Sequence, residues 1–382
     1  MISSAKSVIL VRSRAIDPSI HKVARTLARH GYTVKVLIWD REGKKSVEKK
    51  QGYVTIYFGI KAPYDKLAAG FRLPLWWFYE FLFLLLNKAE IIHASDLDTL
   101  LPAIVVRMVR KATLFYTIYD FYADNLPGSF PSPIRRFVAF LEKLGIELTD
   151  ALFLVDPNRY EQVVGTRIKK LAFLYNSPPD HSKEDFEIGS KAASELTLFY
   201  AGNINKTRGL RDVMEAIRNL DGVKLIVAGT GPDVSMFQML PRNFEDKVEY
   251  IGFIPYEKVI EGAFRADALF AFYDPAIRGN RYASPNKLFE AMMCGKPIIV
   301  NAETTAAKIV GKERCGIIVP YGDICAIRNA IIRLRDDHKL RVMLGKNGRM
   351  AYQRHYDWKH MERRLLELYD EAIFDRGERI AD

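Results

Sequence analysis

The stretch from Asn280 to Val300, N-R-Y-A-S-P-N-K-L-F-E-A-M-M-C-G-K-P-I-I-V, limits the fold more than any other part of the chain. Ser284 is a preferred N-cap, and Pro285 suits the first helical position, where a missing N–H costs nothing. A helix is expected to start there. Asn286 and Lys287 then fall in its first turn, where amides lack helical carbonyl partners and face outward with the positive end of the helix dipole, so an anion can sit there. Pro285, Leu288, Phe289, Met292 and Met293 recur at the spacing of one buried stripe, whereas Glu290 lies one turn beyond Asn286 on another face. Glu290 is therefore expected beside a phosphate-sized site. Gly295 suits the helix stop, and Pro297 to Val300 reads as the next buried strand.

This S-P-N-K-L-F-E-A-M-x-x-G-K-P-I-I-V segment resembles the donor-binding motif of retaining GT-B glycosyltransferases of the glycosyltransferase family 4 type. The resemblance implies an α/β chain with two Rossmann-like, doubly wound parallel-sheet domains facing a cleft. It implies that Ser284, Asn286, Lys287 and Leu288 meet the diphosphate of a nucleotide sugar, UDP- or GDP-linked, and that Glu290 accepts hydrogen bonds from the ribose. The family's second glutamate, eight residues earlier, is Tyr282 here, which leaves the sugar open.

Earlier, Leu196 to Gly202 reads as a strand entering G-N-I-N-K-T-R-G-L, a loop with cations at a strand's carboxyl end. The family's G-R-x-x-x-x-K-G places its lysine at Arg208 but its arginine at Asn203. Gly202, Asn203, Lys206 and Arg208 are the donor-side candidates, with Arg278 or Arg281 as further sources of charge. Gly229 of G-T-G-P and the backbone of Phe253 and Ile254, after a matching G-F, complete the donor side by resemblance. The implied reaction retains anomeric configuration and uses no metal or other cofactor, with Arg208, Lys287 and the helix start stabilising the departing diphosphate.

The basic surplus sits in the first half: residues 1–180 hold 26 Lys and Arg against 17 Asp and Glu, most of the net charge of +11. Such a field favours an anionic membrane surface or a phosphorylated acceptor. No RNP pattern, zinc finger or recognition-helix signature accompanies it, so nucleic acid is not an expected partner. The three cysteines, Cys294, Cys315 and Cys325, form no C-x-x-C pair and suit a reducing compartment. A cytoplasmic protein is expected, peripheral on the inner face of the cell membrane.

Ser7 to Arg12 reads as a central strand, followed by a helix from about Pro18 and a strand from Thr33 to Trp39. Arg14, Asp17, Tyr119 and Asp120 are the acceptor-side candidates, Asp120 foremost and counted with Arg208 and Lys287 as catalytic. Asp96 and Asp124 stand near the same strand ends. Arg41 to Lys50 reads as an exposed connection. Leu73 to Leu86 is too short to span a bilayer; it is either a buried helix or one dipping Trp76, Trp77 and Phe78 into a membrane interface.

The expected plan is an acceptor-side domain over 1–176, a linker over 177–194, a donor-binding domain over 195–356, and a helix over 357–382 crossing back. A glycan or lipid-linked acceptor is the expected partner beside the nucleotide sugar. A nucleotide-sugar epimerase and a non-catalytic binding subunit of the same architecture remain open.

Overall fold

The computed structural model describes residues 6–14, 18–43, 45–62, 70–126, 130–181, 195–237, 244 and 246–381. They divide into two compact units, Met1–Tyr175 with Met361–Asp382, and Asn176–His360.

In the first unit the chain runs β1 (Ser7–Arg12), α1 (Pro18–Arg29), β2 (Thr33–Trp39), β3 (Val47–Lys50), β4 (Tyr53–Phe58), α2 (Leu73–Leu86) and β5 (Ile91–Ser95). It continues with α3 (Leu97–Arg110), β6 (Thr113–Ile118), α4 (Ser132–Glu147), β7 (Ala151–Leu154) and β8 (Leu171–Phe173). The sheet order is β3-β4-β2-β1-β5-β6-β7-β8. β1 lies between β2 and β5, so the crossovers diverge there and the loops after β1 and β5 open at the carboxyl end of a switch point. That is where ligands bind in such sheets. The connection expected over Arg41 to Lys50 is in part a strand: β3 pairs antiparallel with β4. Its charged V-E-K-K sequence suits an edge, where charge discourages further pairing.

The fate of α2 corrects one alternative. Trp76 is fully buried, stacked on Trp39 with ring centroids 5.8 Å apart, and both Trp76 Nε1 and Trp77 Nε1 donate to the Asp98 carbonyl at 3.0 Å. Neither indole is offered to a membrane; only Phe78 of that trio is exposed. The helix is apolar around its whole circumference, so its sequence does not tell which face meets the sheet. The indole N–H groups decide it, because a buried donor needs an acceptor.

In the second unit the order is β9 (Leu196–Asn203), α5 (Leu210–Ile217), β10 (Val223–Thr230), β11 (Val248–Tyr250), α6 (Tyr256–Arg265), β12 (Ala268–Ala271) and α7 (Asn286–Met293). Then follow β13 (Ile298–Asn301), α8 (Thr305–Glu313), β14 (Gly316–Val319), α9 (Ile324–Asp336) and α10 (His338–Ala351). The sheet, β11-β10-β9-β12-β13-β14, is parallel throughout, with β9 at its switch point. Of the expected linker, residues 182–194 lie outside the described residues. The preceding stretch is fastened to this unit: Arg349 grips Asp180 through two bonds of 3.0 and 2.6 Å, and Tyr352 O–H donates to the Pro178 carbonyl.

The last helix, α11 (Trp358–Ala381), joins the first unit from Met361 onward. Tyr369 bonds His93 Nδ1 at 2.7 Å while His93 Nε2 reaches Thr117 Oγ1 at 2.6 Å, and burial pushes the imidazole down to about 3. The ring is neutral, so with Tyr369 donating to Nδ1, Nε2–H donates to Thr117.

Two buried glutamates also shape the first unit. Glu80 is fully buried with neither carboxyl oxygen hydrogen-bonded, and burial raises it well above the usual carboxylate range. Glu142 is pushed up to about 8 by burial, against the opposing bonds from Tyr116 O–H and the Tyr122 amide; Asp96 and Asp124 add a smaller upward push. A carboxyl whose folded pKa is raised stabilises the fold fully below its unfolded value, and that contribution is lost as the pH rises through the folded value. Glu142→Gln keeps an acceptor for the Tyr122 amide and can donate to the Tyr116 oxygen. Urea denaturation between pH 5 and 9 is therefore expected to show the wild type weakening toward pH 9, with a flatter profile in Glu142→Gln.

Candidate active site

The candidate donor site lies wholly in the second unit and grows from the carboxyl ends of β9 and β10. Gly202 pairs with Gly229 across these strands. Both have positive φ, 152° and 131°, and a Cβ on Gly229 would stand 1.9 Å from the Gly202 carbonyl oxygen. Only glycine fits there. A Cβ on Gly202 would stand 2.9 Å from Lys287 Nζ, so the strand end and the lysine ammonium share one small space.

Lys287 is buried in the first turn of α7, donates to the Ala201 carbonyl at 3.2 Å and lies 4.4 Å from the Tyr200 ring centroid. Burial works to lower its pKa, but the Tyr200 and Tyr273 phenol groups and the Glu290 carboxylate outweigh it, and the net shift is upward. The ammonium therefore keeps its charge. Arg208 stands close enough to act on it electrostatically; its guanidinium lies 4.0 Å over the Tyr273 ring and reaches Asn280 Oδ1 at 3.4 Å. Asn280 is itself fixed by donating to the Asp274 carbonyl at 2.9 Å. Two cations and a helix start thus converge beside a glycine strand end, an arrangement suited to a diphosphate.

The details of α7 differ from the sequence expectation. The helix starts at Asn286, with Pro285 as an extended N-cap at φ −74°, ψ 137°; Ser284 makes no capping bond, and its buried hydroxyl has no hydrogen-bond partner. Proline at the boundary holds the preceding chain extended, which carries Ser284 away from the first turn. The Leu288 amide bonds the Pro285 carbonyl at 3.0 Å and the Leu288 side chain is core, so Leu288 offers a donor nothing, while the Asn286 and Lys287 amides keep their place at the start. The single buried stripe is also too narrow a description. Every residue from Lys287 to Met293 is buried, Glu290 among them.

Glu290 is 3% exposed and accepts a hydrogen bond from Tyr256, whose hydroxyl is raised well above its ordinary pKa by burial and then by this carboxylate. Tyr256 opens α6 immediately after the Phe253-Ile254-Pro255 loop, so the two parts of the expected nucleotide site are joined by one phenol. Sequence reasoning missed it. Phe253 is exposed and Ile254 half-buried; Asn203 and Lys206 are exposed, the latter with its amide on Asp233 at 2.7 Å. Arg278 and Arg281 are also exposed, and Arg281 Nε bonds the Pro275 carbonyl. Tyr282 ends the one-turn helix Arg278–Arg281.

In the first unit, Asp120 is held by Arg14 and Arg159, each at 3.4 Å, with Arg159 almost fully buried. Asp96 organises this loop: its carboxylate pairs with Arg12 at 2.5 Å and accepts from the Tyr119 and Asp120 amides at 2.8 and 3.0 Å. Arg12 in turn lies 4.2 Å from the Tyr119 ring centroid. Asp96 has φ 62°, a conformation costing a non-glycine residue about 1–3 kcal/mol, tolerated because these bonds hold it. Its N-cap side chain makes no capping bond, and Asp124 accepts from Gln162. Asp17 lies outside the described residues. Among the described residues no three His, Cys, Asp or Glu side chains converge to hold a metal ion.

Two doubly wound parallel sheets, the second with a cationic helix start at its switch strand, define the GT-B fold class. Residues 181–351 match the model of the family described as Glycosyl transferases group 1. The sucrose-phosphate synthase of Thermosynechococcus elongatus superposes with a TM-score of 0.79 at 17% identity, covering 97% of this chain and 100% of that one. The Anabaena HepE structure in complex with UDP-glucose superposes with a TM-score of 0.69 at 14% identity, over 96% and 99% of the two chains. By sequence, the lipopolysaccharide core biosynthesis glycosyltransferase LpsD of Rhizobium meliloti is 24% identical over 186 residues, 48% of this chain and 52% of that protein. The chain spans about half the length of the curated relatives it matches.

The glycine pair gives a direct check of this geometry. Gly229→Ala is expected to lower unfolding stability by about 3 kcal/mol in chemical denaturation, because the new Cβ meets backbone rather than a movable side chain.

Proposed function

We propose that this protein is a retaining glycosyltransferase that moves a sugar from a UDP- or GDP-linked donor to a glycan or lipid-linked acceptor without using a metal ion. The observation that carries the reading is the convergence of Lys287, Arg208 and Glu290 around the start of α7, beside the glycine end of β9. In this reading the diphosphate lies on the Asn286 and Lys287 amides, with the Lys287 ammonium and the Arg208 guanidinium neutralising it. Gly202 and Gly229 let backbone approach it, and the ribose hydroxyls donate to Glu290, which Tyr256 orients. The backbone at Phe253 and Ile254 meets the base, with Asn203 and Lys206 at the rim.

An acceptor oxygen attacks the anomeric carbon on the face from which the nucleotide leaves. The new glycosidic bond forms, the bond from the anomeric carbon to the diphosphate oxygen breaks, and the acceptor's proton passes to a donor phosphate oxygen. Catalysis then rests on charge stabilisation of the leaving diphosphate and on alignment of the acceptor. Asp120, flanked by Arg14 and Arg159, acts by accepting a hydrogen bond from the acceptor hydroxyl. UDP-glucose in the Anabaena structure supports a UDP donor, and the lipopolysaccharide-core relative supports a glycan or lipid-linked acceptor. Peripheral attachment to an anionic membrane on its cytoplasmic side belongs to the same reading.

Incubation with UDP-, GDP- and ADP-sugars tests it: slow donor hydrolysis or transfer with retained configuration is expected, and isomerised donor or binding without turnover would overturn it. Glu290→Ala is expected to weaken nucleotide binding by about 1–3 kcal/mol through lost charge-assisted bonds. Calorimetric titration with UDP and GDP reads this directly, and Tyr256→Phe is expected to lose less because the carboxylate remains. Lys287→Ala is expected to depress kcat more than it raises KM, since its charge matters most as the diphosphate departs.

A further inference from the structure

The outer surface of α2, α3 and α4 carries apolar side chains that no other described residue of the first unit covers. On α4, Ile134, Phe137, Phe140 and Leu144 recur at intervals of three and four residues and are each at least 45% exposed. They form a second apolar stripe, distinct from the inward face that holds Glu142, Gly145 and Ile146. Met108 and Val109 on α3 and Phe78 on α2 are also more than 60% exposed. The three helices pack against one sheet face through a shared core that includes Trp76, Leu100 and Ile146, so their outer sides look away from the same sheet.

The charges on these helices are sorted in the same sense. Of their four acids, Glu80, Asp98 and Glu142 are buried and only Glu147 is exposed. Arg110, Lys111, Arg135 and Arg136 stand at the helix ends, partly or fully exposed. Exposed apolar patches of this extent mark an interaction site, and a rim of one sign of charge selects an opposite sign opposite it. A second copy meeting this face about a two-fold axis would set the same cations against each other. An anionic lipid surface accepts both the aromatic side chains and the basic rim.

We infer that the outer face of α2, α3 and α4, led by Phe137 and Phe140 and flanked by Arg135 and Arg136, docks the first unit onto an anionic lipid surface. This deepens the membrane attachment proposed above, and it moves the contact away from Trp76 and Trp77. It rests on that attachment and not on glycosyl transfer, since docking needs no donor.

The test is flotation of the full chain with vesicles of pure phosphatidylcholine and of phosphatidylcholine with 30 mol% phosphatidylglycerol, in 50 mM and 500 mM NaCl. Binding to the anionic vesicles at low salt is expected, weakened at least tenfold by high salt or by omitting the anionic lipid. Phe137→Ser/Phe140→Ser and Arg135→Glu/Arg136→Glu are each expected to reduce partitioning at least tenfold, with unchanged melting curves because all four side chains lie outside the core. UDP binding measured without vesicles should be unaffected in both variants, so failure of the donor reading and failure of docking register separately. Absence of flotation at low salt, or equal flotation of wild type and variants, would overturn the inference. So would a wild-type dimer in sedimentation velocity that Phe137→Ser/Phe140→Ser converts to monomer, which would assign the face to a second copy.

Discussion

A buried ammonium beside the end of a strand organises the second unit. Burying a lysine is costly unless its charge is compensated, and here the compensation comes from the Tyr200 ring, the Ala201 carbonyl and the field of Glu290. The same arrangement explains why two glycines must stand opposite each other on β9 and β10: a side chain on either would displace the lysine or collide with backbone. The cationic character of the helix start and the sequence of the strands beside it are thus one constraint. Arg208, held flat over Tyr273, adds a second charge without competing for that space.

Features written locally were legible in the sequence. The helix carrying Lys287 and Glu290, its stop at Gly295 and the following buried strand depend on residues within one turn of each other, where cap, stripe and terminator speak directly. Ser284 shows the limit of such reasoning. A serine before a proline reads as a cap, yet the extended chain ahead of Pro285 takes its hydroxyl out of reach of the first turn. The Tyr256 bond to Glu290 was not legible because the two residues lie on separate helices, and only the order β11-β10-β9-β12 brings α6 against α7. Asp96 shows the same limit in the first unit. Its positive-φ backbone and its three partners depend on β5 and β6 lying side by side, which an aspartate after a strand does not announce.

The first unit separates charge by depth. Helices α2 and α4 turn Glu80 and Glu142 inward, where burial favours their protonated forms, while α4 turns Phe137, Phe140 and Arg136 outward. Both halves of that pattern work against stability in plain water: a buried carboxyl must hold its proton, and an apolar outer stripe gains nothing from solvent.

The tail of the chain sets a boundary on how the first unit can be isolated. Because Tyr369 fills a slot lined by His93, Phe115 and Phe153, this half of the molecule is completed by residues far along the sequence from its sheet. A fragment ending at Tyr175 would leave His93 facing an empty space and expose aromatic rings that α11 normally seals. Any shortened version of the first unit must therefore keep α11 together with its sheet.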